Sequence, residues 1–181
     1  STIKVGGTAR FFVEVNSVDE LVEAMRFAKA ENLPFFALGE GSNLLVDDNG
    51  FDGVAIRVRI KGIEIAEEHK LVLGGGELWD EAVKVSCEKN WAGIEALSGI
   101  PSSCAGAAVQ NIGAYGQEIS EVLEYVEFID PSDFSIKKLA PKDLSYKYRS
   151  SSLKGQMPGP VITKISLKLR NYSSQEARDR C

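Results

Sequence analysis

The chain has 181 residues, 44% hydrophobic and 26% charged, enough apolar sequence for one ordinary domain or two small ones and too much for a disordered or fibrous protein. A net charge of -5 and a pI near 5.1 argue against a general nucleic-acid binder, whose sequence-independent grip on phosphates needs a basic surface. No segment approaches the apolar length of a membrane span and no secretory signal opens the chain, so a soluble, cytoplasmic protein with no membrane partner is expected.

In chain order, Ala9 to Val15 is β-branched and aromatic and predicts a strand. Ser17-Val18-Asp19-Glu20 has the form of a capping box, and Leu21, Met25 and Ala28 follow at helical spacing until Asn32 and Pro34 stop the helix. Short strands are predicted at Phe35 to Leu38, Leu44 to Val46 and Val54 to Val58. A second unit is expected from Lys61: paired strands Ile63 to Ile65 and Leu71 to Leu73, then an amphipathic helix Leu78 to Lys89 with Leu78, Ala82, Val85 and Trp79 inward and Asn90 as its cap. Tyr125 to Ile129 and Phe134 to Leu139 predict a hairpin through Asp130-Pro131-Ser132-Asp133. Val161 to Leu169 alternates as a half-buried strand does.

Cys87, Cys104 and Cys181 are odd in number and widely spaced, which fits neither a disulfide framework nor a C-x-x-C pair. His69, the single histidine, lies in the charged run Glu67-Glu68-His69-Lys70, where a solvated turn is the plain reading. A Ser-His-Asp triad and a multi-histidine metal site are therefore excluded, and no metal is expected. Redox or other chemistry must come from a cofactor or from other side chains.

Three segments can carry it. Leu38-Gly39-Glu40-Gly41-Ser42-Asn43-Leu44-Leu45 has glycines that let backbone approach a ligand, and consecutive N–H groups in such a turn can bind an anion. It is neither a Walker loop nor a Rossmann fingerprint, and by itself it reads equally as a plain turn. Gly99 to Gly116 has eighteen uncharged residues dense in Gly and Ala. Ser102, Ser103, Gln110 and Asn111 would need partners there if buried, which a bound cofactor would supply. Tyr146 to Lys154 holds aromatics and cations suited to a carboxylate or phosphate, though solvated basic loops are common.

Together with Thr2-Ile3-Lys4-Val5-Gly6-Gly7-Thr8-Ala9, the strings Leu38 to Leu45, Gln110-Asn111-Ile112-Gly113-Ala114-Tyr115-Gly116 and Tyr148-Arg149-Ser150-x-x-Leu153-Lys154 resemble the UDP-N-acetylenolpyruvoylglucosamine reductase (MurB) family of peptidoglycan synthesis. The resemblance runs in order from Ser1 to about Leu169. It implies an α+β fold, a two-lobed FAD-binding domain of the vanillyl-alcohol oxidase (PCMH) type, with lobes at 1–60 and 61–170 and the start of a third, substrate-binding domain at 171–181. It implies non-covalent FAD, with Gly39, Gly41, Ser42, Asn43 and Leu44 on one side of the cofactor and Ile100, Pro101, Ser102, Ser103, Ala105, Gly106 and Gly113 on the other.

The reaction it implies takes hydride from NADPH through FAD to the enolpyruvyl β-carbon of a UDP-sugar. Arg149 is the catalytic cation; Tyr115, Tyr148 and Lys154 bind substrate. Oligomeric state does not follow from the sequence, and a monomer is expected. The sequence departs from the family pattern at Ser1, Ser102 and Leu153. It also has no counterpart of the family's proton-donating serine and late glutamate, so a piece of a longer enzyme is expected. The alternatives are another FAD-dependent oxidoreductase of the same fold and a flavin-binding module without turnover.

Overall fold

The computed structural model describes residues 2–172. Its elements in chain order are β1 (Ala9–Val15), α1 (Val18–Ala30), β2 (Phe35–Leu38), β3 (Phe51–Val58), β4 (Ile63–Glu67), β5 (Lys70–Gly74), α2 (Trp79–Glu88), β6 (Trp91–Ala92), α3 (Cys104–Gln110), β7 (Gly113–Ala114), β8 (Gln117–Glu118), β9 (Leu123–Ile129), β10 (Ile136–Leu139), β11 (Val161–Lys168) and β12 (Arg170–Asn171).

The first sheet is parallel and three-stranded, in the order β1-β3-β2. Parallel strands need crossover connections, and α1 is the one that joins β1 to β2 on the other side of β3. Its start is built as the sequence predicts: the Ser17 hydroxyl accepts from Glu20 N–H at 3.1 Å, and the Glu20 carboxylate accepts from Asn16 N–H at 2.7 Å. Leu21, Met25 and Ala28 are fully buried against Val15, Phe35, Val54 and Ile56. Asn32 ends the helix in a left-handed conformation, φ 52°.

The second sheet is five-stranded and antiparallel, in the order β10-β9-β11-β5-β4, with α2 and α3 packed on it. Trp79, fully buried, donates its indole N–H to Leu97 O at 3.0 Å. The two cores meet where Ile129 and Val161, from the second sheet, join the first cluster. The β9–β10 turn reinforces this contact, since Phe134 packs on the first cluster and lies under Lys29 and Arg26 of α1, 5.0 and 5.8 Å from its ring centre.

Several expectations are corrected. Leu44 to Val46 is not a strand, because β2 already pairs with β3 and these apolar side chains form a cavity wall instead. β3 starts three residues earlier than predicted, at Phe51. β11 is buried on both faces except at Lys164 and Lys168, because it is central in its sheet and two register shifts break its alternation. Leu78 is exposed, since it precedes α2 in extended backbone; Trp79, Ala82, Val83 and Ser86 are the inward face and Val85 is half-buried. His69 is half-buried rather than solvated, its Nε2 2.7 Å from Asn171 Oδ1 and its ring beside Trp91. Ser1 and the stretch from Ser173 to Cys181 lie outside the described residues; of the third domain expected at 171–181, Asn171 pairs instead with Trp91 of β6 as part of β12, and the remainder from Ser173 on falls in that stretch.

Candidate functional site

The predicted segments converge on a groove between the two sheets. One cavity, about 410 Å³, has the Gly39–Leu44 loop on one wall and Ser102, Ser103, Ala105 and Gly106 on the other, with Lys154 at its edge. A second, about 540 Å³, continues from it through shared Phe36, Leu38, Leu44, Val109 and Pro160 into an apolar space bounded by Phe12, Phe51 and Met157.

The walls meet at close range. A methyl on Gly39 would lie 2.5 Å from the Ser103 hydroxyl, so the loop reaches α3 only because it carries glycine there. The Ser42 hydroxyl donates to Pro101 O, and the Asn43 amide donates to the Gln110 side-chain oxygen. Among the described residues the backbone N–H groups of Gly41, Ser42 and Asn43 have no acceptor. Glu40 is the one carboxylate on this wall. Arg57 and Arg59 approach it at 3.3 and 3.7 Å, which offsets its charge.

The need for partners in the Gly99–Gly116 segment is met within the chain, which corrects the expectation that a cofactor supplies them. Ser103 caps α3 by accepting from Gly106 N–H at 3.2 Å, and the Ser102 hydroxyl donates to Ser103 O at 2.9 Å. Ile100 is half-buried and packs on the second core; exposed Pro101 touches the loop through its carbonyl.

Gly113, Tyr115, Tyr148 and Arg149 gather elsewhere, around a third cavity of about 480 Å³ shared with Glu118 and Glu121. Here two tight hairpins face each other. Tyr115 and Gly116 link β7 to β8 with φ of 50° and 80°, the left-handed pair that a type I′ turn requires. The second turn is closed by Lys147 N–H to Ser150 O at 3.0 Å and Ser150 N–H to Lys147 O at 3.1 Å, with Tyr148 and Arg149 at its tip. Both tips project outward, leaving Tyr115 and Tyr148 94% and 82% exposed. The Arg149 guanidinium has no ion-pair partner among the described residues. Lys154 joins the two regions: it lines the first cavity and donates from Nζ to Arg149 O at 2.9 Å.

The Cys104 thiol and the Tyr146 phenol are not activated nucleophiles. Burial, then the nearby Glu77 carboxylate, pushes the Cys104 thiol well above its usual range, and burial does the same to the Tyr146 phenol. No cluster of three metal-ligating side chains occurs among the described residues. Sequence reasoning missed the groove lining from Gly155, Gln156, Met157, Gly159 and Pro160; the Gly/Pro density of 155–160 is the signal that marks this stretch as a wall-forming loop. Leu153, where the pattern departs from an aromatic, lines the apolar cavity and packs on the second core.

Known proteins resemble this chain in sequence and fold. The chain is 41% identical over 177 residues to the UDP-N-acetylenolpyruvoylglucosamine reductase of Leifsonia xyli, covering 96% of this chain and 47% of that protein, so it spans about half the length of the curated relative it matches. The crystal structure of the Thermus caldophilus enzyme of that name superposes with a TM-score of 0.77 at 30% identity, over 93% of this chain and 59% of the other. A crystal structure of p-cresol methylhydroxylase superposes at 0.66 with 14% identity over 90% of this chain and 36% of the other, which shows the fold: the two-lobed type common to that enzyme and vanillyl-alcohol oxidase. The model of one family, described as FAD binding domain, matches residues 9–136, more than half of the sequence, and the chain belongs to that FAD binding domain family.

Proposed function

We propose that this chain is the FAD-holding part of a UDP-N-acetylenolpyruvoylglucosamine reductase, a cytoplasmic and monomeric enzyme that uses NADPH to make UDP-N-acetylmuramate for peptidoglycan synthesis. The observation that carries the reading is Arg149, a cation with no anionic partner among the described residues, which shares a cavity with exposed Tyr115 and Tyr148 and is tied through Lys154 to the groove. The groove suits FAD on its own geometry. The loop N–H groups without acceptors are donors for a diphosphate, the glycine at 39 allows close approach, and the apolar continuation suits a flat ring system. In this reading residues 1–60 and 61–170 are the two lobes. Gly39, Gly41, Ser42, Asn43 and Leu44 line one side of the cofactor; Ile100, Pro101, Ser102, Ser103, Ala105 and Gly106 line the other.

FAD, when bound, supplies the two-electron relay from NADPH to substrate. The side chains act on the UDP-sugar. As hydride joins the enolpyruvyl β-carbon, the double-bond electron pair moves to the α-carbon and into its carboxylate, and a proton then completes the lactyl ether. Arg149 meets that carboxylate and holds the developing charge more strongly than the ground state, while Tyr115, Tyr148 and Lys154 position the sugar. Gly113 belongs to this end of the site in the proposal, because it shares the cavity of Arg149. The resemblance gives the α-carbon proton to a serine that this chain does not match. Overall acidity is no obstacle, since backbone donors hold the diphosphate.

Purified protein should absorb between about 350 and 500 nm as a flavoprotein does, and lose that colour with NADPH. A colourless protein that cannot be reconstituted with FAD overturns the proposal. In the full-length enzyme, Arg149→Ala should leave reduction by NADPH within about twofold and slow reoxidation by substrate about 100-fold, the size seen when one transition-state donor is removed. Equal loss in both half-reactions would mean that Arg149 does not act on the substrate carboxylate. Flavin retained covalently after denaturation would point to another oxidoreductase of this fold, and a yellow protein that NADPH never bleaches would point to a binding module.

A further inference from the structure

We infer that Asn111 is the positioning residue that aims Arg149, a role that rests on Arg149 acting at the substrate carboxylate. Asn111 ends α3 in a left-handed conformation, φ 47°, with its side chain turned inward and the residue only 1% exposed. Its amide nitrogen donates to the Glu118 carboxylate at 2.8 Å and to Lys147 O at 3.2 Å, and its Oδ1 accepts from Ser120 N–H at 3.3 Å. These three bonds fasten two segments, residues 118–120 and the turn that begins at Lys147, to the end of α3. Glu118 closes the β7–β8 hairpin that carries Tyr115, Ser120 follows it, and Lys147 is the first residue of the turn that carries Tyr148 and Arg149.

The Arg149 turn is closed by its own Lys147–Ser150 bonds and followed by Ser151, whose hydroxyl donates to Val109 O at 2.6 Å, while two side chains, Lys154 and Asn111, hold carbonyls within it. Arg149 itself is left-handed at φ 53°, a conformation that costs a non-glycine residue on the order of 1 kcal/mol or more and persists only when its surroundings impose it. Lys154 braces the carbonyl of Arg149 on one side of the turn, and Asn111 braces the carbonyl of Lys147 on the other. The brace at Lys154 is an exposed, flexible amine; the one at Asn111 is a buried amide with every polar atom engaged. Buried, fully satisfied polar groups fix geometry in this way, because any displacement leaves desolvated partners unmet. Asparagine also tolerates the left-handed backbone that brings its side chain there.

Asn111→Gly separates the two contributions, since glycine keeps the left-handed backbone and deletes only the side chain. In the full-length, FAD-loaded enzyme it should leave FAD affinity and the NADPH half-reaction within about twofold and slow reoxidation by substrate at least tenfold. In the Arg149→Ala background the same change should slow reoxidation by less than about twofold, because the group it aims is gone. If the two losses simply multiply, Asn111 does not act through Arg149 and the inference fails while the catalytic role of Arg149 stands. If Arg149→Ala alone does not slow reoxidation, the catalytic role of Arg149 fails instead. A loss of FAD affinity in Asn111→Gly equal to its loss of reoxidation marks a general structural role and overturns the inference. Asn111→Asp checks the chemistry of the brace: a carboxylate cannot donate to Glu118 or to Lys147 O, so this variant should be at least as slow as Asn111→Gly.

Discussion

At the scale of single residues the groove is governed by close approach. Gly39 faces the Ser103 hydroxyl so nearly that a methyl would come within 2.5 Å of it, while the Ser103 Cβ would still be 3.4 Å away. Gly39→Ala should therefore push the loop from α3 and weaken FAD binding about tenfold, roughly 1.4 kcal/mol. Combining it with Ser103→Ala removes the obstructing oxygen, so the further loss on adding Gly39→Ala to that background should fall below about threefold, even though the missing cap costs α3 about 1 kcal/mol. Fluorescence titration with FAD on the four proteins tests this, and equal losses in both backgrounds would show that the clash is not the cause. The glycines and serines at these positions are legible in the sequence as a backbone-approach motif. Their pairing across the groove is not, because Gly39 and Ser103 are far apart in the chain.

At the scale of elements, one helix sets the start of the next. Asp80, in the first turn of α2, accepts from Gly99 N–H at 2.8 Å and from the Ser98 hydroxyl at 2.9 Å, and these bonds hold its carboxyl below the usual range. The turn so clamped leads directly into Ser102, whose carbonyl accepts from Trp79 N–H at 3.0 Å, and into the Ser103 cap of α3. A carboxyl whose folded pKa is depressed stabilises the fold above its unfolded value, near 3.9, and loses that contribution as pH falls through the folded value. Asp80→Asn should thus be less stable than the wild type at neutral pH, by under about 1 kcal/mol because the side chain is exposed, and the difference should shrink below about pH 4. Urea melts at pH 7 and pH 3 check it; a difference that grows in acid would contradict the assignment.

The helices α1 and α2 are readable from caps and apolar spacing, as are the strands of the second sheet. Leu44 to Val46 departs from its expected strand because a short apolar run looks the same whether it ladders into a sheet or faces a ligand cavity. β11 departs from a half-buried strand because strict alternation describes only a strand with one wet face. At the centre of a sheet, both faces are covered, and two register shifts interrupt the period.

For the whole molecule, the groove lies between two sheets whose cores touch through Ile129, Val161 and Phe134. A ligand that fills it contacts both sheets and binds only the folded chain, so saturation stabilises the fold by mass action. At FAD a hundredfold above its Kd, the gain should be about 2.7 kcal/mol, read as a rise of several degrees in Tm. A melting point that does not move with FAD would mean that the groove is not its site. Composition, charge and the single histidine argue by themselves against a general nucleic-acid grip and against multi-histidine chemistry, because such constraints reside in residue types, and the ordered strings are enough to mark a resemblance to an FAD-binding family, in line with the family match over residues 9–136. The tertiary structure alone decided that Gly113 stands with Tyr115, Tyr148 and Arg149 rather than with Gly39 and Ser103, that Lys154 spans the two regions, and that Asn111 underpins the Arg149 turn. Those facts depend on which distant segments meet in space, and contact between remote residues is set by the packing of the two sheets rather than by any period along the chain.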